Sequence, residues 1–168
     1  MKTCFTTQRR HIRFGGPRNA GEDFVCMYCH NIVSVQAPPG SCHNRNHCPR
    51  CLSSRHLDLY AAGDRLSACK ARMRPIGLTL KRTPRKYATL EQGELMIVHQ
   101  CEGCGKVSIN RIAADDDDEA ILSVFEASRR LDSQANAHLI ESGIFLLTTN
   151  ELQLVYRRLY GREWLRQT

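Results

Sequence analysis

His47-Cys48-Pro49-Arg50-Cys51 puts two thiols three residues apart in the middle of the chain. The spacing recurs upstream at Cys26-Met27-Tyr28-Cys29 and downstream at Cys101-Glu102-Gly103-Cys104-Gly105, and Cys69 lies between the second and third pairs. In a C-x-x-C segment the backbone turns both sulfurs toward one point and aims amide N–H groups at them, the arrangement a thiolate-bound cation needs. Gly105 suits the left-handed residue that often ends such a turn. His30 holds the matching place after Cys29. Seven thiols in this pattern define a metal-stapled domain rather than an enzyme built on a conventional apolar core.

Zinc takes four tetrahedral ligands, and thiolates are its preferred protein donors. Cys26, Cys29, Cys48 and Cys51 make one complete set, with an ordinary 18 residues between the pairs. Cys69, Cys101 and Cys104 supply three ligands of a second set, which a histidine completes. His56 is favoured, because Cys48 and Cys51 hold the segment that follows them near the metals. His99 and His47 stay open as alternatives, and so does a cross-pairing of Cys48 and Cys51 with Cys101 and Cys104. Two Zn2+ ions per chain are expected. Cys4 and Cys42 fall outside the pattern.

The 168 residues suit one compact domain, or a small domain with an appendage. Aromatic residues make up only 7% of the chain, so the apolar core is modest and metal crosslinks carry much of the stability. Nine cysteines, an odd number, argue against a fully paired disulfide framework. No apolar run resembles a signal peptide or a membrane span. Reduced thiols of this kind fit a cytoplasmic protein, or an organellar one, with no membrane partner. The net charge of +7 is split. Residues 1–112 hold 18 Lys and Arg against 7 Asp and Glu, a net +11, and residues 113–168 hold 6 against 10, a net −4. A basic half of this density points to a polyanionic partner.

Residues 1–21 read as a basic, disordered arm containing Arg9, Arg10, Arg13 and Arg18. Short strands flank the first knuckle at Phe24-Val25 and Ile32–Val35. Residues 52–60 are ambiguous between a helical turn and a loop, and Gly63-Asp64-Arg65 is a turn that can open a short helix toward Cys69. Residues 75–80 are weakly strand-like and 81–86 form a basic loop. Residues 95–100 read as a strand into Cys101, with 106–112 as its return. Beyond the four aspartates 115–118, helices are expected over Glu119–Leu131 and Ser133–Glu141. A third is opened by the Thr148-x-x-Glu151 capping box. The fold expected is a small zinc-stabilised α+β domain with zinc-ribbon-like β-hairpins and a C-terminal helical appendage.

The string Arg45-Asn46-His47-Cys48-Pro49 sits within a longer series of ordered matches. They are Glu22-Asp23-Phe24-x-Cys26-x-x-Cys29, Ser54-x-His56-x-Asp58, Gly63-Asp64-Arg65, Cys69-x-x-x-Met73-x-Pro75, His99-x-Cys101-x-x-Cys104-Gly105 and Asn110-Arg111-Ile112-Ala113-x-Asp115-Asp116. From about Glu22 to Asp116 the chain resembles the RNHCP family, small zinc-finger-like proteins named for the five-residue string. It departs from that pattern at His30, Ser53 and Ala62, which touch turns and packing rather than ligands. The resemblance implies a zinc-binding domain. The chain therefore divides into an arm (1–21), a zinc-binding domain (22–118) and a helical extension (119–168).

The polar residues beyond the ligands leave three functional readings open. In the first, the domain is a structural zinc module that binds RNA or a ribonucleoprotein, the ribosome included. Arg45, Lys81, Arg82, Arg85, Lys86, Lys106 and Arg111 then contact phosphates, and Tyr28, Phe14 and Tyr87 stack on bases. In the second, His43-Asn44-Arg45-Asn46-His47 serves a metal-dependent nuclease of the His-Asn-His kind. In the third, zinc is purely structural and the C-terminal helices dock a protein partner. The balance is toward a non-enzymatic role. Bracing of the knuckles by Arg45, Asn46, His47, Asp64, Asn110 and Arg111 is the competing explanation for all of these side chains.

Overall fold

The computed structural model describes residues 13–14, 23–34, 45–81 and 93–161, with only the backbone of the first pair. Most of the expected arm, together with Cys4 and Cys42, lies outside the described residues. Three two-residue strands, β1 (Arg13–Phe14), β2 (Phe24–Val25) and β3 (Ile32–Val33), form one small sheet. β1 runs parallel to β2, and β2 antiparallel to β3. A second sheet has the order β4-β5-β6-β7, antiparallel throughout. Its strands are β4 (Ser54–Arg55), β5 (Arg72–Lys81), β6 (Glu94–Cys101) and β7 (Val107–Arg111). Helices α1 (Asp118–Ser128), α2 (Ser133–Glu141) and α3 (Leu152–Tyr160) complete the chain. The result is a small α+β fold with antiparallel sheets and three helices.

β6 explains the main sheet. Leu95-Met96-Ile97-Val98 is a continuous apolar run, and all four residues are buried. Side chains alternate across a strand, so such a run needs cover on both faces. Leu95 and Ile97 pack with Leu78 of β5, with Ile121 and Phe125 of α1, and with Leu147 and Val155. Val98 faces the other way and packs with Ile76 and with Leu139 of α2, while Ile144 and Leu146 close over them. Between α2 and α3 the chain crosses the edge of β5. There the Leu147 N–H donates to Leu78 O at 2.8 Å and the Thr79 hydroxyl to Phe145 O at 2.6 Å. The pairing of β5 with β6 slips between Pro75 and Gly77. Proline has no N–H to give the ladder, so a bulge is the conformation it tolerates.

This arrangement corrects the expectation of an appendage. The helices cover both faces of the sheet and supply much of its core, because the strands are too apolar to be left open. Helix starts follow the sequence signals closely. Asp117 caps α1 by accepting from the Glu119 and Ala120 amides, and Asp132 caps α2. The Thr148–Glu151 capping box is formed, but it opens a single 3-10 turn (Thr149–Glu151) before α3 begins. α1 ends at Ser128 rather than Leu131. Residues 56–71 contain no helix, so the helical options for 52–60 and 63–69 do not hold. Among the described residues, no helix is long and apolar enough to cross a membrane.

Candidate metal centres

Three turns share one hydrogen-bond pattern. The amide of the leading cysteine donates to a carbonyl five residues on: Cys26 to Asn31, Cys48 to Ser53 and Cys101 to Lys106, at 2.9 to 3.0 Å. The carbonyl of that cysteine then accepts from the residue after the second cysteine, namely His30, Leu52 and Gly105. All three of these residues are left-handed, with φ of 58°, 55° and 75°, and Lys70 after Cys69 is too, at 54°. Only Gly105 adopts this conformation without a Cβ penalty, which is about 1–2 kcal/mol for other residues. The knuckle geometry therefore dominates local propensity at three of the four positions.

The first centre joins two knuckles. Cys26 Sγ lies 3.6 Å from Cys51 Sγ, and Cys29 Sγ lies 3.5 Å from Cys48 Sγ. All four sulfurs lie within 4.8 Å of one another. A disulfide brings sulfurs to about 2.05 Å, so these are free thiols. A tetrahedral zinc site with bonds of about 2.3 Å has sulfur–sulfur edges of about 3.8 Å, close to what is observed. Phe24, Val33, Cys26 and Cys48 form a small buried cluster around this centre. Asn31 Nδ2 donates to Cys29 Sγ at 3.2 Å.

The second centre joins the third knuckle to the segment after β4. Cys69 Sγ is 3.6 Å from Cys101 Sγ, and Cys104 Sγ is 3.3 Å from His56 Nδ1. These four ligand atoms also lie within 4.8 Å of one another. His56 is thus the histidine that joins Cys69, Cys101 and Cys104, and the cross-pairing of cysteine pairs does not occur. Burial lowers the His56 pKa, assisted by the nearby Lys106 charge, and so favours the neutral, ligating imidazole. The loop between His56 and Cys69 is held by two carboxylates. Asp64 accepts from the amides of Leu59, Tyr60, Ala61 and Leu66, and Asp58 from those of Gly63 and Arg65. These amide bonds, led by the one from Ala61, hold the Asp64 carboxyl well below the usual carboxylate range.

Within each cluster the thiols perturb one another's ionisation. The hydrogen bond between Cys48 and Cys51 pushes Cys48 far up and holds Cys51 down at about 4. Burial pushes Cys26 up. Burial also opposes ionisation of Cys101, but the amides of Cys104 and Gly103 outweigh it and lower that thiol. At Cys104 the Lys106 amide favours the thiolate, yet burial and the neighbouring Cys101 and Cys69 raise it. Crowded thiols cannot all ionise unless a cation sits among them, and both clusters can hold a metal ion.

The other two candidate histidines are not ligands. His99 is fully buried, donates from Nε2 to Leu52 O at 2.7 Å and accepts at Nδ1 from Asn110 at 2.9 Å. Burial holds its pKa down at about 4, so it is neutral. His47 Nε2 donates to Asp116 Oδ2 at 2.8 Å. Arg45 pairs with both Asp115 and Asp116, and its side chain is 2% exposed. Asn46 O accepts from the Ser54 hydroxyl, and Pro49 O from the Asp117 amide. The segment 45–49 thus clamps the start of α1 beside the first centre.

This clamp bears on two expectations. Arg45 cannot meet a phosphate, because its guanidinium is buried against two carboxylates. In the nuclease reading, His47 is buried and bonded to Asp116, while His43 and Asn44 lie outside the described residues. Lys106 is also largely committed, with Nζ donating to the carbonyls of Asp58 and Leu59. Arg111 is exposed but pairs with Glu94 at 2.9 Å. Lys81 is exposed at the end of β5, whereas Arg82, Arg85 and Lys86 lie outside the described residues. The Arg72 guanidinium sits 4.3 Å from the centre of the Tyr28 ring, so a face of that ring is already taken. Tyr87 and the side chain of Phe14 also lie outside the described residues. Sequence reading missed the pairing of Arg45 and His47 with Asp115 and Asp116. The only signal was two motif strings of complementary charge, some 70 residues apart.

No curated protein and no solved structure matches the chain. The model of the RNHCP domain matches residues 21–122, well over half of the sequence and the span that contains every residue of both Cys/His clusters. With its two Cys/His clusters in place, the chain belongs to the RNHCP domain family.

Proposed function

We propose that this protein is a non-enzymatic module in which two structural Zn2+ ions brace a basic surface that binds single-stranded RNA. Zinc suits both centres, because four thiolates, or three with an imidazole, at tetrahedral spacing form a closed site with no open position for a substrate. The observation that carries the RNA reading is the net +11 of residues 1–112. Part of that charge sits on the metal-braced scaffold itself. Arg50, Arg74 and Lys81 are exposed and enter no ion pair among the described residues. Fixed cations on a rigid hairpin scaffold favour a polyanion by releasing its counterions.

Two measurements test this. Elemental analysis of protein purified without added metal is expected to approach two zinc per chain; a value near one removes the second centre. Binding of a labelled single-stranded RNA is expected to weaken linearly in log salt, with a slope of about −0.7 per phosphate neutralised. No binding at low salt ends the RNA reading and leaves the zinc centres standing.

A further inference from the structure

The main sheet carries a cleft of about 250 Å³, with mixed polar and apolar walls, beside the second centre. Its walls include Asn46, His56, Asp58, Tyr60, Ser108 and Asn110. His56 is the telling residue. Its Nδ1 faces Cys104 Sγ and the metal position, so the neutral ring must carry its proton on Nε2. That nitrogen is buried and has no hydrogen-bond partner. A metal-bound histidine almost always gives its second N–H to an acceptor. Here the fold provides none among the described residues, although the residue is only 5% exposed.

We propose that this cleft receives one unstacked nucleobase of a single-stranded nucleic acid, with Tyr60 as its stacking platform. The inference rests on the nucleic-acid reading above and names the part of the ligand that the site takes. The cleft does not suit a phosphate. Its charged groups are the Asp58 carboxylate, itself an anion, the Lys106 ammonium, which is tied to the carbonyls of Asp58 and Leu59, and the Arg55 guanidinium, whose Nε donates to Lys70 O at 3.0 Å. What remains is neutral and mixed: the His56 Nε2–H donor, the Asn46 amide, the Ser108 hydroxyl, and the Asn110 Oδ1 left over once Nδ2 has bonded His99. A flat heterocycle with donors and acceptors on one edge matches that set. The Tyr60 ring stands 86% exposed at the rim. Its backbone is already immobilised, because the Tyr60 amide donates to Asp64 at 2.7 Å and both neighbouring amides donate to the same carboxylate. An exposed aromatic on a braced loop binds a base without first having to be ordered.

The test uses the full zinc-loaded chain. Fluorescein-labelled seven-nucleotide runs of U, A and C are titrated by anisotropy, and the four nucleoside monophosphates by NMR of 15N-labelled protein. One monophosphate is expected to move the Asn46 and Asn110 side-chain amides and the His56 ring resonance. Tyr60→Ala is expected to weaken the preferred run roughly 5- to 150-fold with zinc content unchanged, and Tyr60→Phe to keep most of the affinity. Asn46→Ala should flatten the ranking among the runs. If the wild type binds RNA while Tyr60→Ala matches it in affinity and ranking, the base site is wrong and the RNA reading survives. If the wild type binds neither RNA nor nucleotide, the RNA reading fails and the base site falls with it.

Discussion

His47 Nε2 and Asp116 Oδ2 are 2.8 Å apart, and both side chains are buried. This hydrogen bond ties the residue before the second knuckle to the residue just ahead of the α1 cap. Asp116 Oδ2 also accepts from the Ala113 amide at 2.8 Å, and Oδ1 faces Arg45 at 3.3 Å. One carboxylate thus meets three donors in a water-poor site. Removing it leaves the buried His47 Nε2–H and Ala113 N–H without an acceptor and takes from Arg45 one of its two carboxylates. Asp116→Ala is expected to lower stability by about 3–5 kcal/mol, and Asp116→Asn by less, since the amide oxygen still accepts. Urea unfolding at fixed zinc measures both; equal, small decreases for the two variants would show that the clamp contributes little.

The helices complete the core of the sheet. Phe125 and Ile121 are essentially inaccessible and pack on the β5 and β6 side chains. Phe125→Ala is expected to cost about 3–5 kcal/mol. Ending the chain after Asp118 strips α1 to α3 from both faces, and the product is expected to aggregate. A soluble, zinc-loaded fragment with dispersed amide signals in NMR would restore the view of the helices as separable.

Metal should leave the two centres at different rates. Cys69 and Cys104 are exposed, whereas at the first centre two thiols are buried and two half-buried. A chelator reaches open thiolates first. Stopped-flow zinc release is expected to be biphasic with equal amplitudes, and Cys69→Ser should abolish the fast phase alone. A single phase of double amplitude contradicts the ordering.

Gly103 is required by close packing rather than by backbone conformation. A Cβ built there would lie 2.8 Å from the Ala71 Cβ and 3.1 Å from Cys69 Sγ. Gly103→Ala is therefore expected to displace Cys69 and weaken the second centre while leaving the first intact. Zinc stoichiometry under mild chelation reads this directly: one zinc retained where the wild type keeps two.

RNA affinity should depend on the basic segment that follows β5. Neutralising Lys81, Arg82, Arg85 and Lys86 together is expected to flatten the log–log salt slope by about 0.7 for each phosphate that is no longer neutralised. An unchanged slope places the interface elsewhere on the basic half.

The cysteine spacing by itself determined the seven thiols that cluster and the turns that carry six of them, because a C-x-x-C turn is a local structure whose sulfurs converge whatever surrounds it. Helix starts were legible for the same reason: Asp117, Asp132 and Thr148 act on amides two or three residues away. The tertiary structure alone decided what depends on distant partners. Arg45 reads as a phosphate-binding side chain until Asp115 and Asp116 enclose it from the far end of the family motif. The apolar faces of the helices read as an appendage's docking surface until the two-faced run Leu95–Val98 claims them. His56 is the favoured histidine in the sequence, but only the carboxylate-braced loop that brings Cys69 back to it separates it from His47 and His99. Local hydrogen-bond geometry is written in a few adjacent residues, whereas burial and charge pairing are set by whichever segment folds over them.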